Sequence, residues 1–370
     1  MPDDFPDSTR RDLLSGRAIV QRAAHAQDVL ADAVVDAQEG RRAPRGFDTV
    51  RLETRAMACP WSVVMDPGPA RQVMWASDAL SIVHELEQQL SVYRDDSEVS
   101  AINREAAESA QPVEEGLFRF LVACRDLSRF TGGAFDIAVR ALILLWRDCR
   151  QSGRIPVQEE IDAALAISGM DHVTLDEDSM TVSFDAPGVG IDLGAVGKGF
   201  AIDRAAAFLD EQGLENYLLH GGYSSLLARG EHCGQAGWPV GIKNPLFTET
   251  RYATILLRDQ ALSTSGSNVQ FFRYHGKRYG HILDPRTGWP ADGLLSVTVT
   301  APTASEADAL STAFYVMGLE NAQAYCDNHS QVGALLIPSP AAGRTLQPII
   351  CNIPEETLFF AAAERADKTD

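Results

Sequence analysis

Between residues 216 and 337 the chain is a run of short apolar segments, at 216–228, 238–243, 252–263, 269–274, 278–283, 295–301 and 333–337. Most of the gaps between them are of hairpin length, too short for a crossover, so successive strands must lie antiparallel. Helical spacing of apolar positions breaks this run only at 305–317 and 319–329. The second half therefore builds a largely antiparallel sheet. In the first half, 48–66 alternates as a strand pair, and 78–90, 117–130 and 137–146 carry helical spacing. Gly132-Gly133 closes the helix over 117–130, and 173–193 reads as two short strands around a turn at 176–179. The segment Gly194-Ala195-Val196-Gly197-Lys198-Gly199 then leads into a helix over 201–211. The expected fold is an α/β (α+β) domain over 47–362, a mixed and largely antiparallel sheet with flanking helices. A polar, Ala-rich helical extension is expected over 1–46 and a polar tail over 363–370.

A chain of 370 residues with 45% hydrophobic and 22% charged residues has enough apolar surface for a sizeable core. Its 51 acidic against 32 basic side chains give a formal charge of −19, which opposes binding to nucleic acid or to an anionic membrane surface. The same charge repels a pyrophosphate, so a site for one needs a metal ion or a well-placed lysine. The 6 cysteines contain no C-x-x-C pair, which argues against a zinc site and a disulfide scaffold and for thiols in a reducing compartment. Ser8-Thr9-Arg10-Arg11-Asp12-Leu13-Leu14 resembles a twin-arginine export signal, but Arg17, Arg22, His25, Asp28 and Asp32 interrupt the apolar stretch that must follow. No run approaches the ~20 apolar residues of a membrane span. Cytoplasmic residence without membrane insertion is the expectation.

Several places offer chemistry, each beside a blander alternative. Asp308 and Thr312 lie four residues apart on one helix, so a carboxylate and a hydroxyl share a face as oxygen donors suited to Mg²⁺. From spacing alone, the alternative weighs more: Ser305 as N-cap, Asp308 as its capping partner and Thr312 as an ordinary helical residue. The turn 194–199 presents backbone N–H groups at a helix start, with Lys198 beside them, a phosphate cradle or simply a tight turn. His281, at a strand end before Asp284-Pro285-Arg286-Thr287-Gly288, is placed to act as a general base, although a lone histidine is more often structural. Tyr93 and Phe135 each set an aromatic ring near a carboxylate, able to stack on a flat ring system or to pack in a core.

Taken in order, these segments resemble the successive motifs of the ApbE family. They are Leu90-Ser91-Val92-Tyr93-Arg94-Asp95-Asp96-Ser97-Glu98, Thr131-Gly132-Gly133-Ala134-Phe135-Asp136, residues 191–200, and Leu219-His220-Gly221-Gly222. Ser263-Thr264-Ser265-Gly266, residues 281–290 and residues 307–313 complete the series. The resemblance runs from about Met57 to Gly318. It implies a single domain of ApbE type, related to the T-fold, acting as an FAD:protein FMN transferase. Such an enzyme uses Mg²⁺, takes FAD as substrate and places FMN on a Thr or Ser of an acceptor protein. By position, Asp308, Thr312 and the carbonyl of Ala195 would hold the metal, and His281 would deprotonate the acceptor hydroxyl. Met57, Tyr93, Ala134, Phe135, Asp136, Asp192, Lys198 and Ile282 would line the FAD site. Departures from the family pattern are Ala58-Cys59-Pro60-Trp61 after Met57 and Tyr223-Ser224-Ser225 after Gly221-Gly222.

Two alternatives keep the same pocket: an FAD pyrophosphatase, in which water replaces the acceptor hydroxyl, and a flavin-binding protein without turnover. A serine hydrolase is set aside, because Gly222-Tyr223-Ser224-Ser225-Leu226 lacks the second glycine of a nucleophile elbow.

Overall fold

A computed structural model describes residues 49–266, 271–340 and 345–361; the expected extension over 1–46 and tail over 363–370 lie outside them. The alternation over 48–66 is a hairpin of β1 (Val50–Ala56) and β2 (Cys59–Met65). Its turn residues Met57 and Ala58 both have positive φ, 48° and 58°, the sign pattern of two-residue turns whose twist matches the strands.

Next come α1 (Ala70–Leu90), α2 (Glu98–Glu105), β3 (Gln111–Pro112), α3 (Glu115–Phe130), α4 (Arg140–Gln151), α5 (Gln158–Leu165), β4 (Val173–Asp176), β5 (Thr181–Phe184) and α6 (Gly197–Glu211). The second half holds β6 (Tyr217–Gly221), β7 (Ser225–Arg229), β8 (Trp238–Lys243), β9 (Arg251–Leu257), β10 (Gln260–Gly266), β11 (Phe271–Tyr274) and β12 (Lys277–Gly280). It ends with β13 (Leu294–Ala301), α7 (Ala304–Asn328), β14 (Gly333–Pro338), β15 (Ile349–Cys351) and β16 (Leu358–Phe360).

The main sheet has eight strands in the order β1-β2-β6-β7-β10-β13-β14-β15, and every neighbouring pair is antiparallel. Its strands β2, β6 and β14 read as near-continuous apolar runs because both of their faces are covered. Trp61, Val63, Met65, Tyr217 and Leu219 join the core formed with the helices, whereas Val64, Leu218 and Leu226 face a second core. That second core is completed by Trp238, Val240, Ile255 and Leu257 of a three-stranded sheet ordered β16-β9-β8. Residues alternate between the two faces at period 2, so strands such as β2, β6, β7, β10 and β14 feed both cores.

Two differences from expectation have local causes. The segment expected as one strand over 252–263 breaks at Asp259, whose φ is 50°, because β9 belongs to the covering sheet and β10 to the main one. Likewise 216–228 is two paired strands turning at Gly222 and Tyr223, with φ of 63° and 59°. The helices expected at 305–317 and 319–329 meet at Gly318, whose φ of 78° and ψ of −179° interrupt α7. No helix among the described residues is long and apolar enough to cross a membrane.

Candidate functional site

At one end of the main sheet, β7 and β10 run side by side with Ser225 directly opposite Ser263. Cross-strand partners point to the same face, here toward α7, and both hydroxyls reach Asp308. Ser225 Oγ and Ser263 Oγ each donate to Asp308 Oδ1 at 2.6 Å, and the backbone N–H of Gly199 donates to Oδ2 at 2.7 Å. Asp308 is 2% exposed. No lysine or arginine forms an ion pair with it among the described residues. Three donors occupy three of the four lone-pair directions of the carboxylate, which leaves one on Oδ2. Thr303, not Ser305, caps α7, accepting from Glu306 N, so the capping role that spacing alone gave Asp308 is not what its carboxylate performs.

One turn along, Thr312 joins through Ser265, whose Oγ lies 2.8 Å from Ser311 Oγ and 3.4 Å from Thr312 Oγ1. Lys198 closes the other side, with Nζ donating to Ser224 Oγ at 2.7 Å and to Ser225 Oγ at 2.9 Å. The ammonium thus reaches Asp308 through one hydroxyl instead of touching it. Asp308, Thr312 and Lys198, read separately in the sequence, belong to a single hydrogen-bonded cluster. The serines that join them carried no role in that reading, because a hydroxyl in a strand resembles a solvent-facing residue until its neighbour strand is known.

The start of α7 is clamped onto α6. A Cβ on Gly199 would lie 2.3 Å from the carbonyl oxygen of Ala304, so only glycine allows this approach. Asp203, four residues on, accepts from the N–H groups of Ala304 and Ser305 at 2.7 and 2.8 Å and from Ser305 Oγ. Burial raises the Asp203 pKa above the usual carboxylate range, and the nearby charge of Asp308 adds to the effect.

The remaining positions lie on several other elements. Ala195 is exposed in the turn before α6, and Asp192 Oδ1 accepts from Gly194 N at 2.8 Å, which fixes that turn. The Asp192 N–H donates to Ile137 O at 2.8 Å, bringing it beside the segment Ala134–Asp136. Asp136 accepts from Ser128 Oγ, Ala138 N and Met170 N, and burial raises its pKa. Ala134 and Phe135 are buried in the core, so of the two aromatics considered it is Tyr93, 77% exposed beside Arg147, that presents a ring to solvent. Met57 N donates to Glu87 Oε1 at 2.7 Å. Cys59, two residues on, packs against Gly222: a Cβ there would stand 3.1 Å from the Cys59 sulfur and 3.9 Å from Lys198 Cδ. Burial raises the Cys59 thiol pKa, with Lys198 opposing it. Ile282 is buried, while His281 is exposed at the end of the β11–β12 hairpin. Gly133 approaches Arg286, so the turn after His281 sits beside the 131–136 loop. An open groove of about 540 Å³ next to that loop, lined by Phe130, Gly132, Arg286, Met317 and Tyr325 among others, contains none of these site residues.

A family model described as the ApbE family matches residues 57–336. The FAD:protein FMN transferase of Escherichia coli (strain K12) is 36% identical over 243 residues, which cover 64% of this chain and 69% of that protein. The FAD:protein FMN transferase of Vibrio cholerae serotype O1 is 30% identical over 296 residues, 78% of this chain and 87% of its own. Among solved structures, the ApbE protein of Thermotoga maritima aligns with a TM-score of 0.73 at 30% identity, covering 81% of this chain and 97% of that one. The flavin transferase ApbE from Vibrio cholerae aligns with a TM-score of 0.72 at 29% identity, covering 82% and 97%.

Proposed function

The chain belongs to the ApbE family, and from that premise we propose that it is an FAD:protein FMN transferase that moves FMN from FAD to a Thr or Ser hydroxyl of an acceptor protein, in the presence of Mg²⁺ and with release of AMP. The observation that carries this reading is Asp308: a buried carboxylate bonded to three neutral donors, with one lone pair left and no cationic side chain paired to it among the described residues. A buried charge of that kind calls for a cation. All the donors at hand are oxygens, the set a hard ion such as Mg²⁺ prefers.

In this reading Asp308, Thr312 and the carbonyl of Ala195 hold Mg²⁺, whose charge offsets that of the pyrophosphate. Lys198 and the N-terminus of α6 add positive potential in a chain of net charge −19. Tyr93, Met57, Ile282, Asp192 and the segment Ala134–Asp136 contact FAD. His281 takes the proton of the acceptor hydroxyl as its oxygen attacks the FMN phosphorus; the bond from that phosphorus to the bridging oxygen breaks, and AMP leaves with the bridging oxygen. The exposure of His281 suits a protein substrate, which must bring its hydroxyl in from solvent.

Intact-mass spectrometry of a Thr-containing acceptor domain incubated with this protein, FAD and Mg²⁺ tests the proposal. The expected result is a mass gain of one FMN moiety, lost in His281→Ala and on chelation of the metal. Release of FMN and AMP without that gain would instead identify a pyrophosphatase, and FAD binding without turnover a flavin carrier.

A further inference from the structure

We propose that Asp66, His232 and Cys233 form a second metal site, for a borderline divalent cation of which zinc is the best match, at the end of the main sheet remote from Lys198 and Asp308. It is independent of the flavin reading. Asp66 directly follows β2, whereas His232 and Cys233 lie in the connection between β7 and β8. The C-x-x-C test applied to the sequence could not reveal such a site, since its ligands come from segments 166 and 167 residues apart. Cys59, at the other end of β2, packs beside Gly222 and Lys198. The length of that strand, at about 3.3 Å per residue, separates the two sites by roughly 20 Å.

The three ligand atoms lie within 4.8 Å of one another. His232 Nδ1 is 2.7 Å from Asp66 Oδ1, and the Cys233 thiol donates to the same oxygen at 3.3 Å. The other carboxylate oxygen is held by the N–H of Cys233 at 2.8 Å, a bond that leaves Oδ1 pointing into the cluster. The imidazole is fully buried and stacked on Trp238, with ring centroids 4.4 Å apart and planes 22° from parallel. Trp238 is itself fixed by donation from Nε1 to Arg229 O at 2.9 Å. Positive φ at Cys233 and Gly234, 48° and 77°, folds the turn so that thiol and imidazole face one carboxylate. Cys233 is the exposed one of the six cysteines, which gives an ion its entry and leaves a coordination position for water.

A nitrogen, a thiolate sulfur and one carboxylate oxygen make a zinc-type donor set, not a magnesium one. Tetrahedral bonds of about 2.0–2.3 Å place such donors roughly 3.3–3.8 Å apart, so the present spacings need only small side-chain movements. On binding, Nδ1, Sγ and Oδ1 each form a bond to the cation, the thiol proton passes to solvent, and the neutral imidazole carries its hydrogen on Nε2. The two negative charges of thiolate and carboxylate then balance the ion.

The test uses the untagged full chain, stripped of metal. Titration with Co²⁺ should give a thiolate-to-cobalt charge-transfer band that saturates at one equivalent of this site, and Zn²⁺ should displace it. Cys233→Ser should abolish the band and, like Asp66→Asn, weaken Zn²⁺ binding on the order of a hundredfold, since loss of a mere supporting partner already costs up to that much. No charge-transfer band in the parent, or undiminished Zn²⁺ affinity in a folded Cys233→Ser, overturns the site. Should the variants fail to fold, alkylation of the parent decides: Zn²⁺ but not Mg²⁺ should slow modification of Cys233, and equal rates refute the proposal. None of these readouts depends on flavin transfer.

Discussion

Asp308 is the residue at which stability and chemistry can be separated. Asp308→Asn keeps the volume, but its amide NH₂ must then face either the Gly199 N–H or the two serine hydroxyls. A donor left unsatisfied in that buried place costs about 1–3 kcal/mol, visible as a lower denaturation midpoint. Flavin transfer is expected to vanish, and an undiminished Mg²⁺-dependent rate in Asp308→Asn would remove this position from the site. His220 sets an acid limit of a different kind. It is 1% exposed, shares a hydrogen bond with Ser62, and burial, helped by Arg51, pushes its pKa down from 6.5 to about 4. Between those values the unfolded chain binds the extra proton, so this stability is complete above pH 6.5 and is lost as pH falls toward 4, by about 3 kcal/mol. The measurement is urea unfolding across that range, in which His220→Gln should flatten the slope. Asp308, Thr312 and Lys198 stood out in the sequence as a helical pair and a glycine-rich turn, but their spacing alone favoured capping and a tight turn; their joining in one hydrogen-bonded cluster is a tertiary fact. Ser225 did not stand out, because only the placement of β7 beside β10 turns its hydroxyl toward Asp308.

Helix α7 depends on two glycines for opposite reasons, and substitution distinguishes them. At Gly199 of α6 a methyl group would collide with the backbone of Ala304, so Gly199→Ala must push α7 away and disturb the N–H bond to Asp308. Both stability and transfer should fall, the former by at least the 1–3 kcal/mol typical of overpacking. At Gly318 a methyl group meets nothing within 4 Å, but φ of 78° with ψ of −179° is a region that other residues avoid. Gly318→Ala should therefore cost about 1–3 kcal/mol with transfer retained in the folded enzyme, as paired unfolding and mass-transfer assays would read. At this scale the sequence was most legible where an element is amphipathic or closed by its own turn. The β1–β2 hairpin and the break at Gly318 are of that kind. The short helix α2 escaped notice although Ser97 caps it, accepting from Ser100 N, since eight residues give too little periodicity to stand out. The split between β9 and β10 was hidden because both halves are buried and apolar, and the change of sheet at Asp259 is a tertiary decision.

For the molecule as a whole, a ligand that binds only the folded chain must raise its stability by mass action, about 2.7 kcal/mol at a hundredfold excess over the dissociation constant. FAD with Mg²⁺ should therefore raise the thermal midpoint in proportion to the logarithm of concentration. In Asp308→Asn the Mg²⁺-dependent part of that shift, followed by scanning calorimetry, should disappear. The class of fold could be read from hairpin-length gaps, but the covering sheet β16-β9-β8 could not, because β16 pairs with β9 from far along the chain. The pairing of β2 with β6 in the main sheet has a consequence for biosynthesis. β2 pairs with β6, yet residues 66–216 lie between them. A ribosome adding roughly 5–20 residues per second needs on the order of ten seconds to make that stretch. For that interval the nascent hairpin shows Trp61, Val63, Val64 and Met65 on an unpaired edge, the part of this chain that most needs shielding by a chaperone.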